Sequence, residues 1–232
     1  MALHVRPVDH LGRRFRSNAE PDATSPPAPP RRTPNRRGQG GRLRAELVEA
    51  ASQLLEELAG EEALSLRAVA RLAGVAPQSV YLHFPDKHAL LHAIYQARFD
   101  ELLDQMHRAA ASKRTPASRL RAICQAYCTY GVEHPGQYRV LFGTAGTPGW
   151  QPDQLPGRPT LDLLTEVLAA CANGNGNGNG NGNGTLIHTH TIMLWAALHG
   201  VTLRRDRPSF PWPSLDTLVK ALVDTHIAAL TS

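Results

Sequence analysis

Apolar residues recur at steps of three and four along most of the chain from about residue 42 onward, which is the pattern of amphipathic helices. In the first such segment Leu43, Leu47, Leu54 and Leu58 share one face, and Gly60 is placed to end the helix. The predicted helices span residues 42–58, 66–73, 77–83, 86–107, 116–134, 135–142, 160–172, 185–205 and 214–230. The sequence therefore predicts an all-α fold of about nine helices.

Residues 66–83 contain a pattern in which two short helices meet at a tight turn. Ser65 can cap the first helix, Ala70 supplies a small residue where the helices touch, and Gly74 stands where the backbone bends. This arrangement is typical of a helix-turn-helix, whose second helix enters the major groove of DNA. Other buried helix pairs also contain alanine and glycine, so the pattern alone leaves that alternative open.

The residues that follow carry a family resemblance. The string VYLHFPDKHALL at residues 80–91 resembles the Y-x-H-F-x-x-K-x-x-L signature of the TetR family of bacterial regulators, and the resemblance extends from Arg42 to about Met106. Two later strings, HPGQYRVLF at 134–142 and LWAALHG at 194–200, resemble a C-terminal subtype with a W-x-x-x-H-G signature. The resemblance implies a helix-turn-helix head at residues 41–88 and a ligand-binding and dimerisation domain at 89–232.

The resemblance also assigns DNA contacts. The helix that starts at Pro77 would enter the groove, where Gln78 is the candidate for reading a base, because glutamine can pair with both N6 and N7 of adenine. A solvated helix position is the alternative for Gln78. Tyr81, His83 and Lys87 resemble the family's phosphate contacts. The residues predicted to contact DNA are Arg42, Ser65, Arg67, Pro77, Gln78, Ser79, Tyr81, His83 and Lys87.

Positive charge is concentrated at the N-terminus. Residues 1–44 hold ten arginines and three acidic residues, whereas the rest of the chain has a balance of −2. Residues 1–40 are rich in Pro, Arg, Ser and Gly, which predicts a disordered basic arm. We expect Arg36, Arg37, Arg42 and Arg44 to touch the minor groove or backbone of DNA beside each half-site. A solubilising tail with no partner is the alternative.

Two further expectations concern the C-terminal part. Tyr127, Tyr130, Phe142, Trp195 and His199 could line a cavity for a small-molecule effector, although plain core packing explains the same residues equally well. The family resemblance implies that an effector entering there would shift the long helix at 86–107 and lower the affinity for a palindromic operator. It also implies a homodimer formed through the last two helices.

The six Asn-Gly dipeptides at residues 173–184 form the other unusual segment of the C-terminal part. Both residues tolerate positive φ, and neither offers apolar surface to bury. We therefore interpret residues 173–184 as a flexible linker between two helices.

Other classes of protein find little support in the sequence. Neither a catalytic Ser/His/Asp arrangement nor a phosphate-binding loop is recognisable, so we expect no enzyme and no cofactor. Eleven histidines are present, but His188 and His190 lie about 200° apart around a helix, so no metal site is expected. Cys124 and Cys128 share a helix face, and they are interpreted either as two buried thiols or as a redox pair.

No apolar run is long enough for a membrane span and no secretory signal is visible, which favours a cytoplasmic location. Two rival interpretations remain open at the level of the sequence. One is an architectural DNA-binding protein without ligand control, for which strongly salt-dependent, unspecific binding would be the sign. The other is a small all-α enzyme or carrier with a vestigial DNA-binding head, for which turnover or a bound product would be the sign.

Overall fold

The structure is a computed structural model that describes residues 40–57, 64–142, 155–173, 183–203 and 209–231. Within these ranges it contains helices and turns and no β-strand, which confirms the predicted all-α fold. The nine helices are α1 (Gly40–Glu57), α2 (Leu66–Leu72), α3 (Pro77–Tyr81), α4 (Lys87–Ala111), α5 (Pro116–Glu133), α6 (Pro135–Phe142), α7 (Arg158–Asn173), α8 (Asn183–Thr202) and α9 (Leu215–Thr231).

Short polar side chains determine where several of these helices begin. The Ser65 hydroxyl accepts a hydrogen bond from the Ala68 amide at 3.2 Å, and Asp86 Oδ1 accepts one from the Ala89 amide at 2.8 Å. Each bond satisfies an amide that has no partner inside its helix. Ala76, before α3, has no such side chain, and Pro77 at the first helical position supplies a fixed φ instead.

Two of the helix ends that differ from the predicted ranges are those of α4, which continues to Ala111, four residues beyond the predicted end, and of α3, which stops at Tyr81 rather than at His83. The amides of His83 and Phe84 both donate to the carbonyl of Val80, at 3.0 and 2.9 Å, and this tightens the chain into a turn before α4. The predictions for the arm at 1–40, for most of the loop at 143–158 and for most of the linker at 173–184 lie outside the described residues.

One continuous hydrophobic core runs through the molecule, and α5 lies at its centre. This helix packs against α4, α7, α8 and α9 and places fully buried residues such as Ile123 and Tyr127 among them. Helices α1, α2 and α3 pack together around Leu47, Val69 and Val80, beside the N-terminal part of α4. Both α4 and α6 contact α1, so these two helices connect the small N-terminal bundle to the rest of the protein.

Candidate nucleic-acid interface and effector site

The turn between α2 and α3 has the geometry that the sequence predicts for a helix-turn-helix. Gly74 has φ +66°, a conformation that glycine adopts without steric cost. The amide of Val75 donates to the carbonyl of Ala70 at 3.0 Å, and Ala70 is itself buried against the neighbouring helix. Val80 is fully buried, so it fixes the rotation of α3 about its own axis.

That rotation decides which side chains of α3 face outward. Pro77, Gln78 and Tyr81 are exposed, with Tyr81 48% accessible, whereas Ser79 and His83 are half-buried. Exposed Arg67 belongs to α2, and Lys87, the first residue of α4, is half-buried. The outward side of α3 thus presents the one side chain predicted to read a base, Gln78, together with a predicted phosphate contact, Tyr81.

Some of the other residues predicted to contact DNA are engaged within the protein. Ser65 caps α2, and Arg42 pairs with Glu46 at 3.0 Å on the exposed face of α1. The guanidinium of Arg44 lies 5.0 Å from the centre of the Phe84 ring, a cation–π distance. Phe84 is 1% exposed, so it is a core residue.

Sequence reasoning missed two exposed residues on the same bundle. Arg71 lies one turn after Arg67 on α2, and this four-residue spacing places both guanidinium groups on one helix face. Leu82 follows α3 and is 83% exposed, which is unusual for a leucine. The four-residue spacing from Arg67 could have revealed Arg71 in the sequence. Leu82 could not be found in this way, because its exposure depends on α3 ending at Tyr81.

The second candidate site is an aromatic cluster between α5, α6 and α8. The Phe142 ring lies 4.7 Å from Tyr138, 5.1 Å from His199 and 6.3 Å from Trp195, measured between ring centres. Tyr127 is 6.1 Å from Phe142. Four of the five residues predicted to line an effector cavity therefore come together here, and Tyr138 joins them without having been predicted. Tyr130 instead contacts the His134 ring and donates to Gln137 Oε1 at 3.0 Å.

A chain of polar groups runs through this cluster. The hydroxyls of Tyr127 and Tyr138 lie 3.0 Å apart, and the Tyr138 hydroxyl lies 2.5 Å from Nδ1 of His199. A side-chain hydrogen bond also joins Trp195 to Tyr127. An indole N–H can only donate, so Trp195 donates its hydrogen bond to the Tyr127 hydroxyl. When the His199 ring carries its hydrogen on Nε2, Tyr127 donates to Tyr138, and Tyr138 donates to Nδ1 of His199. Burial lowers the pKa of His199, which favours this neutral ring.

Helix α6 connects the aromatic cluster to the N-terminal bundle. Its residues Tyr138 and Phe142 belong to the cluster, while Gly136 and Arg139 contact Glu56 near the end of α1. Arg139 donates to the Glu56 carbonyl oxygen, and a Cβ placed on Gly136 would lie 2.8 Å from Glu56 Oε2. The close approach of α6 to α1 therefore requires glycine at position 136.

A second connection joins α1 to α4 through the buried Arg98. Its guanidinium bonds to Ser52 Oγ at 3.3 Å, to Glu101 at 3.0 Å and to Glu49. Burial disfavours the charged guanidinium, but its hydrogen bonds to the two glutamates outweigh that effect and raise the pKa of Arg98. The side chain thus stays charged where α1 crosses α4.

Two histidines and two cysteines lie between packed helices. His190 and His226 meet between α8 and α9 with their Nδ1 atoms 2.9 Å apart. Cys124 and Cys128 are both fully buried, and burial raises the pKa of the Cys124 thiol well above its usual value. The reactive thiolate is therefore disfavoured, which supports the interpretation of these cysteines as buried thiols.

Comparison with known protein families assigns both parts of the chain. A family described as "Bacterial regulatory proteins, tetR family" matches residues 47–94, which span the helix-turn-helix and the start of α4. A second, "Tetracyclin repressor-like, C-terminal domain", matches residues 120–230, including the aromatic cluster. This chain belongs to the TetR family of transcriptional regulators. Its family and fold are those of transcription regulators.

Curated relatives match a shorter stretch. The nucleoid occlusion factor SlmA of Photobacterium profundum is 26% identical over 102 residues, which are 44% of this chain and 52% of that protein. The SlmA of Vibrio cholerae is 24% identical over the same length. The chain thus spans about half the length of these curated relatives.

Solved structures share the fold over most of the chain. A Rhodococcus protein of unknown function superimposes with a TM-score of 0.68 at 24% identity, covering 85% of this chain and all of that one. A TetR family regulator from Marinobacter aquaeolei gives 0.62 at 19% identity, covering 84% and 98%. FadR from Bacillus subtilis, solved with stearoyl-CoA, gives 0.62 at 16% identity, covering 81% and 97%. At these identities the likeness shows the fold.

Among the described residues, no helix is both long and apolar enough to cross a bilayer.

Proposed function

We propose that this regulator is a homodimeric repressor that leaves a palindromic operator when a small molecule enters its C-terminal part. In this proposal residues 41–88 form the DNA-binding head, residues 89–232 form the ligand-binding and dimerisation domain, and the basic arm at 1–40 adds phosphate contacts. The observation that carries the proposal is the position of α6, which contacts both the aromatic cluster and α1 of the head.

The DNA-binding half of the proposal rests on the outward face of α3. A five-residue helix reaches few bases, and two copies separated by one turn of DNA, about 34 Å, double the number of base contacts. Gln78 would read bases, and Tyr81, His83, Ser79 and Lys87 would position the helix on phosphates. Selection of bound duplexes from a random pool tests this: we expect a palindrome with half-sites about one helical turn apart. Recovery of unrelated sequences would favour the architectural alternative.

The homodimer is supported by an exposed apolar stripe along α8. Leu186 and Met193 are 44% and 53% exposed, and they lie seven residues apart on one side of the helix. Gly200 continues the stripe at the same interval, and nothing lies within 4 Å of where its Cβ would be. Apolar and small residues repeating every seven positions are the pattern with which one helix packs against another. A second copy of α8 would bury this surface.

The effector half rests on the aromatic cluster, in which buried rings surround a small number of polar atoms. Such a lining is typical of small-molecule sites. In this structure the rings pack against each other, so an effector has to displace part of the cluster. Phe142 is half-buried, as are Trp195 and His199, and it is the one of these three that stands at the end of α6. An effector that displaces Phe142 therefore moves α6, and with it the contact between α6 and Glu56.

Substitution of Gly136 tests whether this contact controls DNA binding. A methyl group at position 136 meets the Glu56 side chain at 2.8–3.1 Å, so α6 has to withdraw from α1 by a few tenths of an ångström. We expect Gly136→Ala to weaken operator binding about tenfold without any effector, within the ~1–3 kcal/mol typical of allosteric coupling. The matched control is Gly184→Ala, where the added Cβ has nothing within 4 Å. Equal operator affinity in the two variants would refute control through α6.

A further inference from the structure

A groove lies on the face of α5 opposite the aromatic cluster. It encloses about 680 Å³ between the C-terminal part of α4, the N-terminal two thirds of α5 and the start of α9. Arg121, Gln125 and Thr129 line it at four-residue intervals, which places them on one face of α5. Cys124 and Tyr127 lie on the buried face of the same helix. The groove is therefore separate from the candidate effector site.

Positive charge dominates the groove. Its lining includes Arg108 in the last turn of α4, Lys113 just after that helix, Arg121 on α5 and Lys220 on α9, against a single carboxylate in the lining, Asp216. Asp224, outside the lining, pairs with Arg121 at 2.5 Å and with Lys220 at 2.9 Å. Arg108 and Lys113 take part in no ion pair within the described part of the chain. Their charge is thus free to attract an anion.

The remainder of the lining combines methyl groups with the neutral polar side chains of Gln105, Ser118, Gln125 and Thr129. Ala109, Ala122, Ala126 and Val219 supply methyl groups to the groove. Oε1 of Gln125 is buried and accepts no hydrogen bond from the described residues. This oxygen has no surface open to the groove, so a bound ligand would meet the charged groups and the methyl groups rather than this atom.

We propose that the groove between α4, α5 and α9 is a second ligand site, which binds a small organic anion with an apolar body. The anionic group lies between Arg108 and Lys113, and the apolar body covers the alanines. Pockets for small molecules commonly enclose about 300–1,000 Å³, so the groove has a suitable size. This inference is independent of how the head binds DNA.

The test uses 8-anilinonaphthalene-1-sulfonate, whose fluorescence rises on transfer from water to an apolar site and which carries a sulfonate and an N–H donor. Its neutral counterpart N-phenyl-1-naphthylamine keeps the rings and the N–H but lacks the sulfonate. We expect the anionic dye to bind the full chain at one saturable site per chain and at least tenfold more tightly than the neutral dye. We expect the double variant Arg108→Glu, Lys113→Glu to lose that tenfold preference.

The matched control is the double variant Arg114→Glu, Arg119→Glu, which makes the same change of charge on neighbouring residues outside the groove. The preference for the anionic dye should survive in it. Circular dichroism of all variants checks that they are folded, which is expected because Arg108 and Lys113 are exposed. Equal binding of the two dyes by the unmodified chain, or an equal loss in both double variants, would overturn the proposal.

Discussion

Removing one hydroxyl from the aromatic cluster should destabilise the protein far more than removing a similar hydroxyl a few residues away. Tyr138→Phe deletes the oxygen that lies between the Tyr127 hydroxyl and His199 Nδ1, at 3.0 and 2.5 Å. Tyr138 is 2% exposed and Tyr127 is fully buried, so water cannot reach the Tyr127 hydroxyl without opening the cluster, whereas His199 is half-buried. The perturbation changes no ring and no volume beyond a single oxygen atom.

The expected magnitude follows from the number of groups left without a partner. Each hydrogen bond contributes about 1 kcal/mol net, and an orphaned buried acceptor costs about 1–3 kcal/mol. In Tyr138→Phe, His199 Nδ1 loses its donor and the Tyr127 O–H loses its acceptor, and Tyr127 keeps only the bond that it accepts from Trp195. We therefore expect the free energy of unfolding to fall by about 2–4 kcal/mol.

Tyr130→Phe is the matched control, because it removes a hydroxyl with one part-buried bond, to Gln137 at 3.0 Å. Its cost should be about 0.5–1.5 kcal/mol. Urea unfolding at pH 8 and at a fixed protein concentration measures both variants, since the pH keeps His199 neutral and a dimer's stability depends on concentration. If the two variants differ by less than about 0.5 kcal/mol, the smallest net worth of one hydrogen bond, the polar chain through the cluster does not stabilise the fold as argued.

The remaining predictions concern DNA recognition, assembly and pH. Gln78→Ala should lose about 1–3 kcal/mol of preference at one operator position in competition binding, whereas Lys87→Ala should weaken all sequences equally. Met193→Glu should give a monomer in light scattering, while Leu155→Glu, a similar change at an exposed leucine of another surface, should remain dimeric. Lowering the pH below about 6.5 should lower the Tm. Burial and the neighbouring His190 reduce the pKa of His226 in the folded protein, so below this pH the unfolded chain binds a proton more readily than the folded chain does. His226→Gln should show a smaller decrease, and an identical pH profile would exclude this histidine as a cause.

The N-terminal bundle could be predicted from the sequence almost completely, because the signals that build it are local. Ser65 and Asp86 mark helix starts within three residues of their hydrogen-bond partners, and Gly74 marks the turn by its own φ. The end of α3 was placed two residues too late, because the turn there depends on two amides sharing the carbonyl of Val80. Such a backbone bond leaves no mark in the side-chain pattern.

The C-terminal sites were harder to predict because their contacts join distant segments. Trp195 and His199 were found from a signature within one helix, but the partner of His199 is Tyr138, 61 residues earlier in the chain. Tyr130, three residues after Tyr127, faces a neighbouring direction on α5, and helical spacing alone could not decide between the two. The basic groove needs three helices to come together, so no single stretch of sequence indicates it.

The contacts of α1 suggest how a local change in the C-terminal part would reach DNA. Glu49, Ser52 and Glu56 lie at intervals of three and four residues, so they share one face of α1. Arg98 of α4 holds the first two, and Arg139 of α6 holds the third about one turn later. Displacement of α6 would break only the contact between Arg139 and Glu56, so α1 would tilt about Arg98 rather than slide. Because α2 and α3 share a core with α1, α3 would turn with α1. In a twofold dimer the two copies of α3 would turn in opposite directions, which would change the spacing between them.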